Sequence, residues 1–214
     1  MITSEHLDRI DAPQNGTVFI VDDDEVTRQM LSSIARSAGF DTDAYASAEE
    51  FLEHFDDQKV GCLILDIGLP GIDGMELQQR LNAQGTAPPI IFVTGHGEIP
   101  LATQALRSGA LDFLSKPCNP TVLLDRIREG LAVNTKLHEK RAVAADVQRR
   151  IMSLTARERE IMYLLAAGDS PKKVASQLSI CIKTVDNHRI KIFEKMQVEN
   201  ATQLSRLLSI VQSS

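Results

Sequence analysis

The first 120 residues alternate short apolar runs with helix-forming stretches, and that alternation constrains the fold most. Strand-like runs lie at 18–21, 40–45, 62–65, 90–94 and 111–114. Each is followed by Gly, Pro, Asp or Asn and then by a segment of helical period. Short strands joined by single helices cannot pair antiparallel through tight turns. They require crossover connections, hence a parallel sheet covered on both faces, and the near-continuous apolar strands suit that burial. The helix ends are marked. One helix spans about 25–38, with Met30, Leu31, Ile34 and Ala38 on one face and Gly39 behind it. Ser47-Ala48-Glu49-Glu50 reads as a capping box. A third helix covers 74–81, a fourth starts near Pro100 and ends at Gly109, and a fifth opens at Asn119-Pro120. The predicted fold is an α/β doubly wound, five-stranded parallel sheet.

In such a sheet a ligand sits at the carboxyl ends of the strands. Three strand ends here carry charge. Asp22, Asp23 and Asp24 follow the first, Asp66 the third, and Lys116, before Pro117, the fifth; Thr94 ends the fourth. Asp22, Asp23 and Asp66, with a backbone carbonyl at Gly68, form the oxygen-rich ligand set that Mg2+ prefers. Asp66 is placed as a carboxylate nucleophile toward phosphorus. Lys116 supplies a compact positive charge and Thr94 a hydroxyl for phosphoryl oxygens. Singly, each feature reads as a turn, a cap or a surface loop; together they specify a phosphoryl-accepting site.

Residues 17–120 resemble the receiver domain of two-component response regulators. The resemblance rests on Val21-Asp22-Asp23-Asp24, on the stretch from Leu65-Asp66-Ile67-Gly68 to Asp73-Gly74, on Phe92-Val93-Thr94-Gly95-His96-Gly97 and on Lys116-Pro117. The stretch 94–100 is similar to the FixJ subgroup. The resemblance implies Asp66 as phosphoacceptor, Asp22 and Asp23 as metal ligands, Lys116 and Thr94 as phosphoryl partners, and Phe113 as an aromatic switch that follows Thr94. Gly95 replaces a common alanine and Cys118 the usual phenylalanine.

The remainder is different in charge. Residues 1–120 hold 7 Lys/Arg against 19 Asp/Glu, whereas 151–214 hold 9 against 6. The acidic part repels nucleic acid and the basic part suits phosphate contacts. From 120 to 150 the sequence permits a helix interrupted only by Gly130. Leu124, Ile127 and Leu131 are spaced as in a heptad, and a short coiled coil remains open. From 151 the chain reads as four helices: a capping box at Thr155-Ala156-Arg157-Glu158, a stop at Gly168, a cap at Ser170-Pro171, a turn at 179–181, a helix at 182–196, and Asn200 capping the last. Residues 153–208 resemble the LuxR/NarL-type helix-turn-helix domain, through Leu154-Thr155-Ala156-Arg157-Glu158, Ala167-Gly168, Val174-Ala175, Leu178, Thr184-Val185 and His188.

The resemblance implies a recognition helix with Val185, Ile192 and Met196 inward. Asp186, Asn187 and Ile190 fall at base-reading positions, where Asn pairs with adenine and Asp accepts from cytosine. Lys183, Thr184, His188, Arg189 and Lys191 complete the DNA-binding set, chiefly as backbone contacts. Cys181 and Ile182 replace the usual Ser/Thr-type cap and its follower, which costs about 1 kcal/mol.

The predicted division is an N-terminal extension at 1–16, a receiver domain at 17–133, a helical linker at 134–150 and a DNA-binding domain at 151–214. Cys62, Cys118 and Cys181 have neither CxxC nor Cys/His spacing and read as reduced thiols. No apolar run approaches 18 residues, so the expected place is the cytoplasm, with no membrane partner. The reading is a transcription factor controlled by a sensor histidine kinase. It binds double-stranded promoter DNA, forms a homodimer when phosphorylated, and has RNA polymerase as a further partner. An aspartyl phosphohydrolase would want a second acid just after Asp66, where Gly68 stands, so no enzyme is expected. A phosphate-independent regulator switched by a partner or a thiol is the alternative.

Overall fold

The computed structural model describes residues 16–95 and 99–212. His96, Gly97 and Glu98 of the FixJ-like stretch, and the N-terminal extension before Gly16, lie outside them. The element order is β1 (Thr17–Val21), α1 (Glu25–Ser37), β2 (Asp41–Tyr45), α2 (Ala48–His54), β3 (Gly61–Leu65), α3 (Gly74–Gln84), β4 (Ile90–Thr94), α4 (Ile99–Arg107), β5 (Asp112–Ser115) and α5 (Pro120–Met152), followed by α6 (Ala156–Ala166), α7 (Pro171–Gln177), α8 (Ile182–Met196) and α9 (Ala201–Gln212). The chain divides into two compact units, the first ending at His138 and the second beginning at Glu139, within the segment read as a linker.

The first unit is built on a parallel sheet of order β2-β1-β3-β4-β5. Strand side chains alternate between its faces. Phe19, Val21, Leu63, Leu65 and Phe92 pack with α2, α3 and α4 through Phe51, Leu77, Leu81 and Ala105. Val18, Ile20, Cys62, Ile64, Ile91 and Val93 pack with α1 and α5 through Leu31, Ala35, Leu123, Ile127 and Leu131. β1 and β3 are neighbours at the centre, so the chain order reverses beside them, and a crevice opens at their carboxyl ends.

Three local details depart from the sequence reading. On α1 the fully buried positions are Leu31 and Ala35, while Met30 faces solvent. Leu31 and Ala35 are one turn apart, and the small alanine lets the helix lie close to the sheet. On α5 the inward stripe is Leu123, Ile127 and Leu131, a strict four-residue spacing, and Leu124 is only partly buried. At α2, Ser47 Oγ accepts from Glu50 N–H (3.1 Å), but the Glu50 carboxylate accepts from Ala46 N–H (2.7 Å), one residue before the cap. The capping box is therefore shifted rather than reciprocal.

Gly130 does not interrupt α5. A Cβ there would lie 2.6 Å from the Cys62 sulfur, so glycine lets the helix settle directly onto β3. Buried Asn134 accepts from Gly61 N–H (2.8 Å) one turn later and ties the helix to the start of the same strand.

The second unit has its own core. Val147, Ile151, Leu154, Ile161, Met162, Leu165, Val174, Val185, Ile192, Met196, Leu204 and Leu208 are buried together. Thr155 and Glu158 form the reciprocal capping box of α6, and Ser170 caps α7 ahead of Pro171. Asn200 accepts from Gln203 N–H (2.9 Å) at the start of α9. Cys181 makes no side-chain cap bond to the backbone of α8; its sulfur lies 3.0 Å from Thr184 Oγ1.

Candidate functional site

The crevice at the ends of β1, β3, β4 and β5 gathers the charged residues. Asp22 is 1% exposed; its Oδ1 accepts from Asp24 N–H (3.0 Å), while Arg28 donates to its backbone carbonyl (2.7 Å). Asp24 turns outward to cap α1, accepting from Thr27 N–H. Asp66, 9% exposed, follows β3; its Oδ1 accepts from Gly68 N–H (3.3 Å). Lys116 follows β5, before the cis peptide to Pro117. Its Nζ donates to Asp22 Oδ2 (2.6 Å) and Asp66 Oδ2 (2.7 Å). Thr94, at the end of β4, is fully buried, and its hydroxyl hydrogen-bonds Asp66. Phe113 is partly buried on β5, its ring 6.3 Å from that of Phe92.

The electrostatics follow from burial and one shared ammonium. Burial drives the Asp22 carboxyl above its ordinary value, and Lys116 only partly opposes this. Burial acts the same way on Asp66, but Lys116, Thr94 and the Gly68 amide outweigh it and hold this carboxyl below its ordinary value. Asp66 is thus the more acidic carboxyl of the pair. Two carboxylates raise Lys116 against the opposing effect of burial. Oxygens of Asp22, exposed Asp23 and Asp66 lie within 4.8 Å of one another. Three acids against one ammonium leave an excess of negative charge, and the donors are all hard oxygens. This set fits a magnesium-type cation.

Two residues that shape this site have no charged-motif signal. A Cβ on Gly74 would lie 2.2 Å from the backbone oxygen of Asp66, so α3 begins against the main chain just past β3. Glu49 of α2 accepts from Ile72 N–H (3.0 Å) and holds the loop between Asp66 and Gly74. Gly74 stands in the sequence as a helix start; only the close approach gives it a role here.

In the second unit, α7, the turn at Ser179 and α8 form a helix-turn-helix. Lys183, Asn187 and Lys191 recur at four-residue spacing on the exposed side of α8, beside Ile190, which is 63% exposed. Thr184, Asp186, His188 and Arg189 are half-buried, and Arg189 pairs with Asp186 at 3.3 Å. Val185, Ile192 and Met196 are wholly buried. The exposed side therefore mixes two lysines, an amide and an aliphatic side chain.

The model for the response regulator receiver domain matches residues 18–128, and that for the luxR family of bacterial regulatory proteins matches residues 152–208. The chain belongs to the response regulators. The regulator is 36% identical over 192 residues to the transcriptional regulatory protein FixJ of Bradyrhizobium diazoefficiens, covering 90% of this chain and 94% of that one. It is 34% identical over 197 residues to the response regulator protein TodT of Pseudomonas putida, covering 92% and 87%. The solved structure of the response regulator StyR aligns with a TM-score of 0.82 at 38% identity, covering 91% of this chain and 98% of that one. The regulator is a phosphorylation-controlled transcriptional regulator, with a receiver that answers to a histidine kinase and a LuxR-type unit that binds DNA. Among the described residues, no helix is long and apolar enough to cross a membrane.

A partly buried ion pair couples the elements of the DNA-binding unit. Glu158, 4% exposed, accepts from Thr155 N–H (2.9 Å) and from Lys195 of α8 (2.7 Å). The Lys195 ammonium, then the Thr155 amide, hold the Glu158 carboxyl down to about 2, against its ordinary 4.5. A carboxyl lowered by folding contributes stability above its unfolded value and loses it as pH falls toward its folded value. The parent therefore loses this contribution between pH 4.5 and about 2. Glu158→Gln costs about 2 kcal/mol at neutral pH, because the amide oxygen still accepts but the negative charge that strengthens both bonds is gone. Acid titration of both proteins by circular dichroism checks this; parallel curves across that window would sink it.

Proposed function

We propose that Asp66 is the phosphoacceptor and that Asp22, Asp23, Asp66 and the Gly68 carbonyl hold Mg2+ beside it. In the transfer, an Asp66 carboxylate oxygen forms the new O–P bond as the N–P bond of the kinase phosphohistidine breaks, and the histidine nitrogen leaves. Lys116 then pairs with one phosphoryl oxygen and Thr94 donates to another. A bound Mg2+ supplies positive charge that offsets repulsion between the acids and the phosphoryl oxygens. As Thr94 turns toward the phosphoryl group, Phe113 moves into the space it leaves, and the outer face of the receiver changes. The observation that carries this reading is Lys116 bridging Asp22 and Asp66 at 2.6 and 2.7 Å, with Asp23 at the rim.

In this reading residues 17–133 act as the receiver, 134–150 as the linker and 151–214 as the DNA-binding domain, in the cytoplasm. The phosphorylated regulator forms a homodimer on two promoter half-sites, with RNA polymerase as the further partner. Asp186, Asn187 and Ile190 read bases, while Lys183, Thr184, His188, Arg189 and Lys191 hold the backbone. Sedimentation velocity and DNA binding with Mg2+, with and without beryllofluoride, test this. Dimerisation and tighter DNA binding with beryllofluoride are expected; identical behaviour in both conditions would overturn the switch.

A further inference from the structure

The matched LuxR-family segment begins at residue 152, yet the DNA-binding unit starts earlier. Val147 (1% exposed) and Ile151 (7%) of α5 lie in one core with Ile192 and Met196 of α8. Between them Arg150 reaches the end of the recognition helix: its Nη1 donates to the backbone carbonyl of Met196 (3.0 Å). Asp146, one turn earlier on α5, orients the same guanidinium by accepting from Nη2 (2.6 Å). Met196 is the last residue of α8, and Gln197 follows in the left-handed region at φ 55°, so this carbonyl belongs to the helix's unsatisfied terminal set. A guanidinium there meets both the orphan acceptor and the negative end of the helix dipole. Lys195 fixes the same turn from the other side, donating to Ser153 O (3.3 Å), just past α5, and to Glu158. The opposite end of α8 lacks a side-chain cap, although Val185, near that end, is wholly buried in the core.

We infer that Arg150 is a positioning residue for DNA recognition, one that sets the aim of α8 by anchoring its C-terminal carbonyl to α5. It acts through α8 and touches no base. Without the anchor the helix tilts about the seated Val185, and a change in its axis redirects Asp186, Asn187 and Ile190 together. Base readout depends on donor and acceptor geometry, whereas phosphate attraction tolerates small shifts. Loss of Arg150 thus lowers selectivity more than general affinity. The inference rests on the proposed reading of α8 as the base-reading helix.

The test uses the full chain with Mg2+ and beryllofluoride. The parent first selects a duplex from a pool with about 20 random base pairs, two helical turns. Affinity is then measured for that duplex and for a scrambled one of equal composition, in the parent, Arg150→Met, Arg150→Lys and Asp146→Asn, with thermal melting alongside. Arg150→Met is expected to lower the selected-to-scrambled affinity ratio about tenfold, the discrimination of roughly one base pair. Arg150→Lys, which keeps a charged donor, recovers most of the ratio, and Asp146→Asn gives a smaller loss in the same direction. Equal weakening on both duplexes makes Arg150 a phosphate contact and overturns the inference. A lowered melting temperature with an unchanged ratio makes it merely structural and also overturns it. If the parent selects no duplex, the reading of α8 falls and the inference with it; if the parent selects one and Arg150→Met matches it, the inference alone falls.

Discussion

Asp66→Asn takes up no phosphoryl group from acetyl phosphate and no longer responds to beryllofluoride. The amide is neutral and its oxygen is a poor nucleophile, so the O–P bond has no donor. The substitution is nearly isosteric. The oxygen of the new side-chain amide still accepts from Gly68 N–H, and Lys116 keeps its bond to Asp22 at 2.6 Å. The lost charge weakens the bond to Lys116 while the acceptor oxygen remains, so the stability loss is expected to be about 1 kcal/mol. Uptake of labelled phosphate, its release by hydroxylamine and the melting temperature are the readouts. Parent-like, hydroxylamine-labile uptake by the variant would place the acceptor on another carboxylate.

Gly74→Ala is the second large effect, and it runs against helix propensity. Alanine inside a helix is favoured over glycine by about 1 kcal/mol. Here the new methyl group would stand 2.2 Å from Asp66 O, and 3.0 Å from both Asp66 C and Ile67 Cα. All three are main-chain atoms, so nothing yields by rotating; the backbone carrying Asp66 must move. Overpacking of this kind costs about 2–3 kcal/mol. A displacement near 1 Å of the reacting carboxylate lowers the phosphorylation rate by about a hundredfold. Gly85→Ala is the control. It sits at φ 68° with open space around it, at the other end of the same helix. It carries a conformational strain of its own without the collision, so it is expected to lose some stability and retain the parent rate. Parent-like phosphorylation by Gly74→Ala would mean that the loop absorbs the methyl group without moving Asp66.

Much of this architecture is legible in the sequence because strands and caps are local. The runs ending at Val21, Leu65 and Thr94 signal buried strands by their own side chains, and Thr155 and Glu158 close their capping box within four residues. The charged residues at the strand ends are likewise visible, and the fold brings Asp22, Asp66 and Lys116 into contact. What escapes is contact with the main chain. Gly74 against Asp66 O, Asn134 to Gly61 N–H and Arg150 to Met196 O join a side chain, or the lack of one, to backbone atoms that its own neighbours in sequence do not reveal. Backbone atoms are the same at every position, so no residue pattern marks them. The α5 stripe differs at its first position for a related reason. A heptad reading favours Leu124, whereas a helix lying on a sheet needs only every fourth residue, beginning at Leu123.

The seat of α5 on β3 turns Cys62 into a gauge. Its sulfur lies under Gly130, fully shielded, and burial pushes its thiol up to about 12. Cys181 is exposed, with its thiol lowered by Thr184. A thiol reagent therefore labels Cys181 readily and reaches Cys62 only when α5 lifts off the sheet. The labelling kinetics of a single sulfur thus report how often the receiver opens along its last helix, a clock that runs without phosphate, partner or DNA.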